Sequence, residues 1–241
     1  VMETKPGLLS SFYQDHQETN YISANIYADY TNTFGKHYLK AMLGYNYEQK
    51  EFSRLDTYNT DLLAENVENI NLTFGTEKKK ITGIYNKWRS VGIFTRINYS
   101  YADRYLIQFN GRYDGSSKFP SNSRWAFFPS VSAGWRITEE PWVRDNIGKR
   151  YFSNAKLRLS FGSLGNSNVS PYYYDETFGI SNSRYINGGI YRKTSAPDPI
   201  PGNLTWETSR TYNLGLDLGF FQDRLSLSGD IYLRKTLDMF T

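Results

Sequence analysis

Large apolar side chains recur at every second position over long stretches of this sequence, and this feature constrains the fold more than any other. The segment RWAFFPSVSAGWRITEEPW, residues 124–142, shows the pattern most clearly. Trp125, Phe127, Val131 and Trp135 fall on one side of an extended chain, and serine, glycine and arginine residues alternate with them. Such alternation predicts a β-strand with one apolar face and one polar face.

The same alternation predicts eight strands, with approximate bounds 20–30, 37–49, 88–101, 104–114, 124–138, 154–164, 205–219 and 224–237. The connections between them alternate in length, being short at 31–36, 101–104 and 221–224, intermediate at 115–123, and long at 50–87 and 165–204. We also expect a helical turn within 139–153 and a short helix within 56–72. The residues near one face of that helix are Leu62, Leu63, Asn66 and Ile70.

The predicted strand lengths favour a membrane environment. Strands of soluble proteins average about 5–6 residues, whereas a tilted strand needs about 9–11 residues to cross a bilayer. Short turns at one end and long loops at the other end are typical of an up-and-down outer-membrane barrel. We therefore predict an all-β fold, an antiparallel up-and-down transmembrane β-barrel, while a soluble β-sandwich remains the alternative.

The two faces of such a barrel differ in what they contact. Lipid would cover the apolar face, and water or an inserted domain would cover the polar face. We also assign Trp206 to the apolar face. The charged residues that we expect on the polar face are Lys40, Arg96, Arg112, Asp114, Arg136, Lys156, Arg158, Glu207, Asp217, Asp230 and Arg234. We expect these charges to pair with one another or with the inserted domain.

Trp125 and Trp135 are candidate membrane-interface residues. Ten residues separate them, which is about 33 Å of strand. With the usual strand tilt this length projects to about 25 Å, the height of the apolar band of an outer-membrane barrel. Both indoles would then lie at headgroup level, where amphipathic rings are favoured. Burial of both residues in the core of a sandwich is the alternative.

Composition excludes several classes of function. The 241-residue chain carries a formal net charge of +4 and contains no cysteine, so disulfides and thiolate chemistry are excluded. The lysine run at 78–80 lacks interleaved aromatic residues, so we expect a solvated loop and no nucleic-acid partner. His16 and His37 lie far apart and have no neighbouring serine or cysteine. We therefore expect neither catalysis nor a cofactor.

No run of about 18 apolar residues occurs, so no transmembrane helix is predicted. The N-terminal segment lacks the basic and apolar regions of a secretory signal peptide. We interpret this as either a cytosolic protein or a chain whose true start lies upstream.

The segment SPYYYDETFG, residues 170–179, is a candidate ligand-binding loop. Its residues of interest are Tyr172, Tyr173, Tyr174, Asp175 and Glu176. Aromatic faces stack on sugar rings, and carboxylates accept hydrogen bonds from hydroxyl groups, so contact with a glycan is chemically reasonable. Packing of the tyrosines onto neighbouring loops or onto a partner protein is the alternative, and we consider it the simpler interpretation.

Four segments, taken in order, resemble the C-terminal barrel region of the SusC/RagA family of TonB-dependent outer-membrane transporters. They are RYDGSSKF (112–119), RWAFFPSVSAGWRITEE (124–140), AKLRLSFGSLGN (155–166) and NLTWETSRTYNLGLDLGFFQDRLSLSGDIYLRKT (203–236). The resemblance is strong over 104–238 and looser over 1–103. A strand-entry motif that the family commonly writes NPDLKWE is only partly kept here, as PGNLTWE at 201–207.

This resemblance implies a 22-strand barrel in the bacterial outer membrane, filled by an N-terminal plug domain. It also implies import of oligosaccharides or peptides, a SusD-like surface lipoprotein as a lid, and TonB acting on the plug. The present chain contains neither the plug nor a TonB-contacting segment. We therefore expect residues 1–241 to be a portion of the barrel domain, a set of about eight of the 22 strands.

Two other functions remain open from the residues alone. One is a surface adhesin or glycan-binding β-barrel that does not transport. The other is a soluble β-sandwich hydrolase, which the missing catalytic constellation disfavours. The sequence does not distinguish a glycan from a peptide as the substrate.

Overall fold

The computed structural model describes residues 11–62, 69–73, 80–146, 152–178, 180–186, 189–197 and 204–240. Its strands are β1 (Ser11–Phe34), β2 (His37–Thr60), β3 (Lys80–Tyr101), β4 (Tyr105–Ser116), β5 (Trp125–Arg136), β6 (Phe152–Asn166), β7 (Ile180–Ile186), β8 (Gly189–Thr194), β9 (Glu207–Phe220) and β10 (Leu225–Leu237). Short helical elements are the helix α1 (Pro141–Asn146) and two 3-10 turns, at Ile70–Leu72 and Ile137–Glu139.

Eight of these strands form one sheet in the order β1-β2-β3-β4-β5-β6-β9-β10. Strands follow one another in sequence order, and β7 and β8 form a separate antiparallel hairpin between β6 and β9. The predicted all-β, up-and-down arrangement of eight strands is confirmed, as is the helical turn within 139–153. The segment 165–204 differs from the predicted plain loop, because it contains this hairpin.

The first three strands are longer than predicted, at 24, 24 and 22 residues. Residues 50–60 and 80–87 belong to β2 and β3, so their assignment to a long loop is wrong. Among the described residues, the short helix expected within 56–72 is present only as the 3-10 turn Ile70–Leu72, while 56–60 is strand and Leu62 forms a β-bridge with Thr73. Of its proposed face, Leu63 and Asn66 lie outside the described residues.

Residue contacts divide the chain into two units. Unit 1 comprises residues 1–22 and 49–88, and unit 2 comprises 23–48 and 89–241. Polar side chains make contacts within unit 1: Arg54 donates hydrogen bonds to Asp56 (2.8 Å) on the same strand and to the hydroxyl of Tyr13 (2.8 Å) on β1. Polar contacts of this kind suit a surface in water.

In unit 2 the registers place apolar side chains opposite one another from strand to strand. Phe109 pairs with Val131, Val131 with Phe161, Phe161 with Tyr212, and Tyr212 with Leu233. These side chains do not pack into a core: Val131 is 40% exposed, Tyr212 is 49% exposed and Leu233 is 57% exposed. The sheet thus has the exposed apolar face that the alternation predicts.

Left-handed backbone closes the tight connections. Gly35 has φ of +63° in the β1–β2 turn, and Ala102 and Asp103 have φ of 51° and 54° in the β3–β4 turn. The β9–β10 turn uses three such residues in a row, Phe221–Asp223. The β1–β2 connection is a two-residue turn with glycine at its first position, a type whose twist matches that of the strands that it joins. We call the edge of the sheet with these connections the turn end, and the opposite edge the loop end.

The hydrophobic core of unit 2 is small and lies at the loop end. Its buried members are Phe119, Phe128, Leu204 and Trp206. Phe119 is completely buried, and its ring centroid lies 4.9 Å from that of Trp206. The indole N–H of Trp206 donates to the carbonyl of Arg124 at 3.1 Å. This cluster fixes the long loops to the polar face of β5.

The assignment of Trp206 to the exposed apolar face is wrong. β9 begins at Glu207, so the backbone at Trp206 is outside the ladder that enforces alternation. The side chain is only 7% exposed and is buried in the core cluster. A large aromatic group that also finds a partner for its N–H gains more from burial there than from continuing the face.

The connection between β5 and β6 is held by one buried carboxylate, Glu140. It accepts hydrogen bonds from the hydroxyl of Tyr105 (2.5 Å), from the indole of Trp135 (3.0 Å) and from Arg104 (2.9 Å). These donors, led by Tyr105, lower the pKa of Glu140 below its ordinary value. Glu140 thereby ties the turns at β3–β4 and β5–β6 together.

Among the described residues, no helix is long and apolar enough to cross a membrane.

Adjacent substitutions on β5 test the assignment of the two faces. Val131→Arg places a charge midway along the apolar face, where a bilayer contact costs about 2–4 kcal/mol of unfolding free energy. Ser132→Arg, on the polar face, is the matched control, and we expect it to cost less than about 1 kcal/mol. Denaturant unfolding of the full-length protein in lipid vesicles measures both. Equal effects of the two variants would contradict the assignment.

Replacing Glu140 tests the clamp at the turn end. Glu140→Gln keeps the shape but removes the charge, so we expect a lower unfolding midpoint near neutral pH. Because the folded pKa of Glu140 is lowered, its contribution is present above the unfolded value of about 4.3 and is lost as pH falls further. The gap between wild type and variant should therefore close in acid. Glu139→Gln is the control, and a gap that does not depend on pH would contradict the prediction.

Candidate functional site

The polar face of unit 2 carries an ion-pair network centred on Arg158. Its guanidinium donates to both oxygens of Asp217, at 2.7 and 2.9 Å, and to Asp230 at 3.1 Å. Asn213 donates to the other oxygen of Asp230 at 3.1 Å. A Cβ on Gly215 would lie 2.8 Å from the Arg158 guanidinium carbon, so this glycine makes room for the network. Bidentate Arg–carboxylate pairs of this kind fix geometry as well as charge.

A second polar-face contact combines an aromatic ring with a cation. Arg112 lies over the ring of Phe94, with 5.6 Å between its guanidinium carbon and the ring centroid. The same guanidinium donates to Asp114 at 2.9 and 3.1 Å. On the other side the Phe94 ring occupies the space beside Gly44, where a Cβ would clash with it. The polar face is therefore a packed, charged surface, with aromatic groups that the alternation alone did not reveal.

A groove of about 710 Å³ follows the polar face. Polar and small residues dominate its lining, including Asn98, Gln108, Ser132, Lys156 and Arg158. Such a lining offers hydrogen bonds to a molecule or domain on the polar side of the sheet.

Eight of the eleven predicted polar-face charges make hydrogen bonds, and these bonds are of two kinds. Arg96, Arg112, Asp114, Arg158, Asp217, Asp230 and Arg234 make hydrogen bonds to other polar-face side chains. Arg136 donates instead to the carbonyl of Asp103, at 3.4 Å. The expected mutual pairing is thus present, and it is concentrated on Arg158.

The structure separates the candidate loop residues into two roles. Tyr174 is half-buried, packs against the core cluster and donates to the carbonyl of Ser117 at 3.4 Å. Tyr172 and Tyr173 are exposed, on a turn in which Tyr172 has φ of +64°. Asp175 and Glu176 are exposed beside them. Four of the five predicted residues are available to a ligand, while Tyr174 anchors the loop.

The two candidate interface tryptophans lie on the same face, at opposite ends of β5. Trp125 is 47% exposed and stacks on Tyr113, with 5.2 Å between ring centroids. It also covers Gly115, where a Cβ would meet the indole. Trp135, at the turn end, is half-buried and donates to Glu140.

Sequence reasoning missed two residues of the apolar face, Arg210 and Lys235. They share the parity of Tyr212 and Leu233 in the alternation, and that parity was the signal that could have revealed them. Within the described part of the chain, no group of three or more His, Cys, Asp or Glu residues could hold a metal ion.

A family model described as "TonB dependent receptor-like, beta-barrel" matches residues 4–241. TonB-dependent receptor P3 of Formosa agariphila is 32% identical over 94% of this chain and 22% of its own length. TonB-dependent receptor SusC of Bacteroides thetaiotaomicron is 34% identical over 90% of this chain and 21% of its own length. The chain thus spans about a fifth of the length of the curated relatives that it matches.

Solved structures agree with the sequence relatives. The RagAB peptide transporter superposes with a TM-score of 0.81 and 25% identity, over 94% of this chain and 25% of that chain. The RagAB peptide importer in its 'open-open' state gives a TM-score of 0.72 and 26% identity over the same 94% of this chain and 24% of that chain. Together with the exposed apolar face and the charged polar face, these matches show that the chain belongs to the TonB-dependent receptor β-barrel family, of the SusC/RagA type, in the bacterial outer membrane.

Proposed function

We propose that this chain is part of the barrel domain of a TonB-dependent transporter that imports oligosaccharides or peptides. The observation that carries the proposal is the family match over 4–241, joined to a sheet with one exposed apolar face and one charged face. A relative named SusC and solved structures described as a peptide transporter support import of a nutrient. Residues 1–241 would supply a set of about eight strands to the longer barrel.

The polar face and its groove would line the interior against an inserted plug domain. The balance of charge supports this role, because Arg158 pairs with both Asp217 and Asp230 and Lys156 supplies the second positive charge, so these four side chains carry no net charge. TonB would act on the plug from the turn end, since outer-membrane barrels have short turns on the periplasmic side.

The loop end would face outside the cell, where the substrate and a SusD-like lipoprotein would meet the barrel. Tyr172 and Tyr173 offer exposed aromatic faces, and Asp175 and Glu176 offer acceptors. A core cluster directly below them would hold this loop in place. Long loops on a rigid sheet are where binding residues of barrels concentrate. Trp125 and Trp135 would mark the two headgroup levels.

Uptake by living cells tests the transport role. In a strain that lacks the gene for the full-length protein, we expect loss of uptake of a labelled peptide mixture or of a labelled oligosaccharide mixture. The same loss is expected when TonB is deleted. Surface retention of labelled oligosaccharide with no TonB-dependent uptake would instead support the alternative, a non-transporting glycan-binding or adhesin barrel.

Substitution in the loop tests the binding residues separately. We expect Tyr172→Ala with Tyr173→Ala to reduce uptake at least about fivefold, because exposed aromatic contacts dominate many binding surfaces. Tyr174→Phe is the matched control: it keeps the ring in the core cluster and should change uptake less than about twofold. Uptake that is intact in the double variant would remove the loop from the proposal and leave the transport role standing.

A further inference from the structure

Over the strands β4, β5, β6, β9 and β10, the apolar face of the sheet carries two charged side chains. They are Arg210 on β9 and Lys235 on β10. The remaining residues on this face of the five strands are aliphatic, aromatic, small or neutral. Two like charges on an otherwise neutral face call for a physical reason, because a charge that faces hydrocarbon is destabilising.

Arg210 and Lys235 are direct register partners across β9 and β10. Like charges that lie opposite each other in a sheet repel. Both residues are exposed on the two outermost strands at this edge of the sheet, and neither makes a side-chain hydrogen bond or ion pair with another described residue. An anion between them would remove both the repulsion and the cost of unpaired charge.

The position of Arg210 and Lys235 along their strands restricts which layer of the membrane could supply that anion. Arg210 is the fourth residue of β9, and Lys235 is the third from the end of β10, so both lie at the loop end. Cations on the lipid face of a barrel cost little near the bilayer interface and much at its midplane. This position therefore corresponds to the headgroup layer.

An apolar groove of about 550 Å³ lies next to this pair, toward the centre of the sheet. Leu159, Phe161, Tyr212, Leu214 and Leu233 are among its lining residues. A second groove of about 500 Å³ joins it at the loop end and is lined by Arg210, Tyr212, Leu233, Lys235 and Leu237. Tyr212 and Leu233 line both grooves, so a single molecule can contact the cations and the apolar channel together.

We propose that this site binds a phosphate-bearing lipid of the outer leaflet. One phosphate lies between Arg210 and Lys235, and an acyl chain follows the groove past Tyr212 and Leu214. Arg and Lys both bind phosphate strongly, Arg through paired N–H donors and Lys as a point charge. The lack of a carboxylate on this face of the five strands excludes a cation as the occupant.

A lipid explains the site better than a free phosphate ion or a protein segment. A free ion would use the two cations and leave the apolar groove unfilled. A protein segment would have to displace lipid from a face that is apolar across five strands. Continuity of the charged and apolar parts therefore favours an amphipathic molecule with one anionic end.

Lipid retention by the full-length protein tests the proposal. The purified protein in detergent is titrated with diphosphoryl lipid A, and bound lipid is counted by native mass spectrometry. We expect Arg210→Gln with Lys235→Gln to weaken binding about tenfold or more, since each cation near an anionic lipid contributes measurably. The charge-preserving pair Arg210→Lys with Lys235→Arg should bind within about threefold of wild type.

Matched controls separate this site from general charge effects. Lys40→Gln with Arg234→Gln removes two cations from the polar face and should leave lipid binding unchanged. Dephosphorylated lipid A should bind wild type about tenfold more weakly, and inorganic phosphate should not compete. Three results would each overturn the proposal. They are equal lipid binding by the two glutamine double variants, equal binding of lipid A with and without its phosphates by the wild type, and competition by inorganic phosphate. Thermal unfolding of every variant in the same detergent identifies any variant that fails to fold. If the Arg210→Gln and Lys235→Gln double variant fails, lipid binding by the charge-preserving pair decides whether the proposal stands.

Discussion

The structure depends on one requirement, that every backbone N–H and C=O group inside a bilayer finds its partner within the protein. The long antiparallel registers serve this requirement, since β6 pairs with β9 from Phe152 to Asn166, with one irregularity between Phe152 and Asn154, and with β5 over Lys156–Gly162. A strand paired on both sides can offer its surroundings only its two faces. Alternate side chains must then meet different environments, which explains both the exposed apolar face and the charged polar face.

This requirement also decides how much of the fold the sequence could predict. Where lipid enforces alternation, as in β4 and β5, the predicted bounds of 104–114 and 124–138 lie close to the observed Tyr105–Ser116 and Trp125–Arg136. Where strands continue into water the constraint disappears. In residues 49–60 of β2 the charged residues Glu51, Arg54 and Asp56 do not alternate regularly with uncharged residues. The sequence therefore predicts a loop for this part of the strand.

The candidate site was predictable only in part, because its contacts are distant in sequence. The run Tyr172–Tyr174 indicated a binding loop, but which ring anchors it depends on Ser117 and Phe119, more than fifty residues away. The burial of Trp206 depends on the same cluster. Arg210 and Lys235 were visible as exceptions to the alternation, yet their significance required the register that sets them side by side.

The two kinds of charge on the sheet also restrict where its apolar band can lie. Charges on the polar face, such as Arg158, are neutralised within the chain and can sit at any depth. Charges on the apolar face must stay at the boundary of the hydrocarbon. From Arg210 to Phe220 is ten residues, the same interval as from Trp125 to Trp135. Each interval is about 33 Å of strand, or about 25 Å of tilted height, so the part of β9 between the cation pair and Phe220 is long enough for the band that we propose between the two tryptophans.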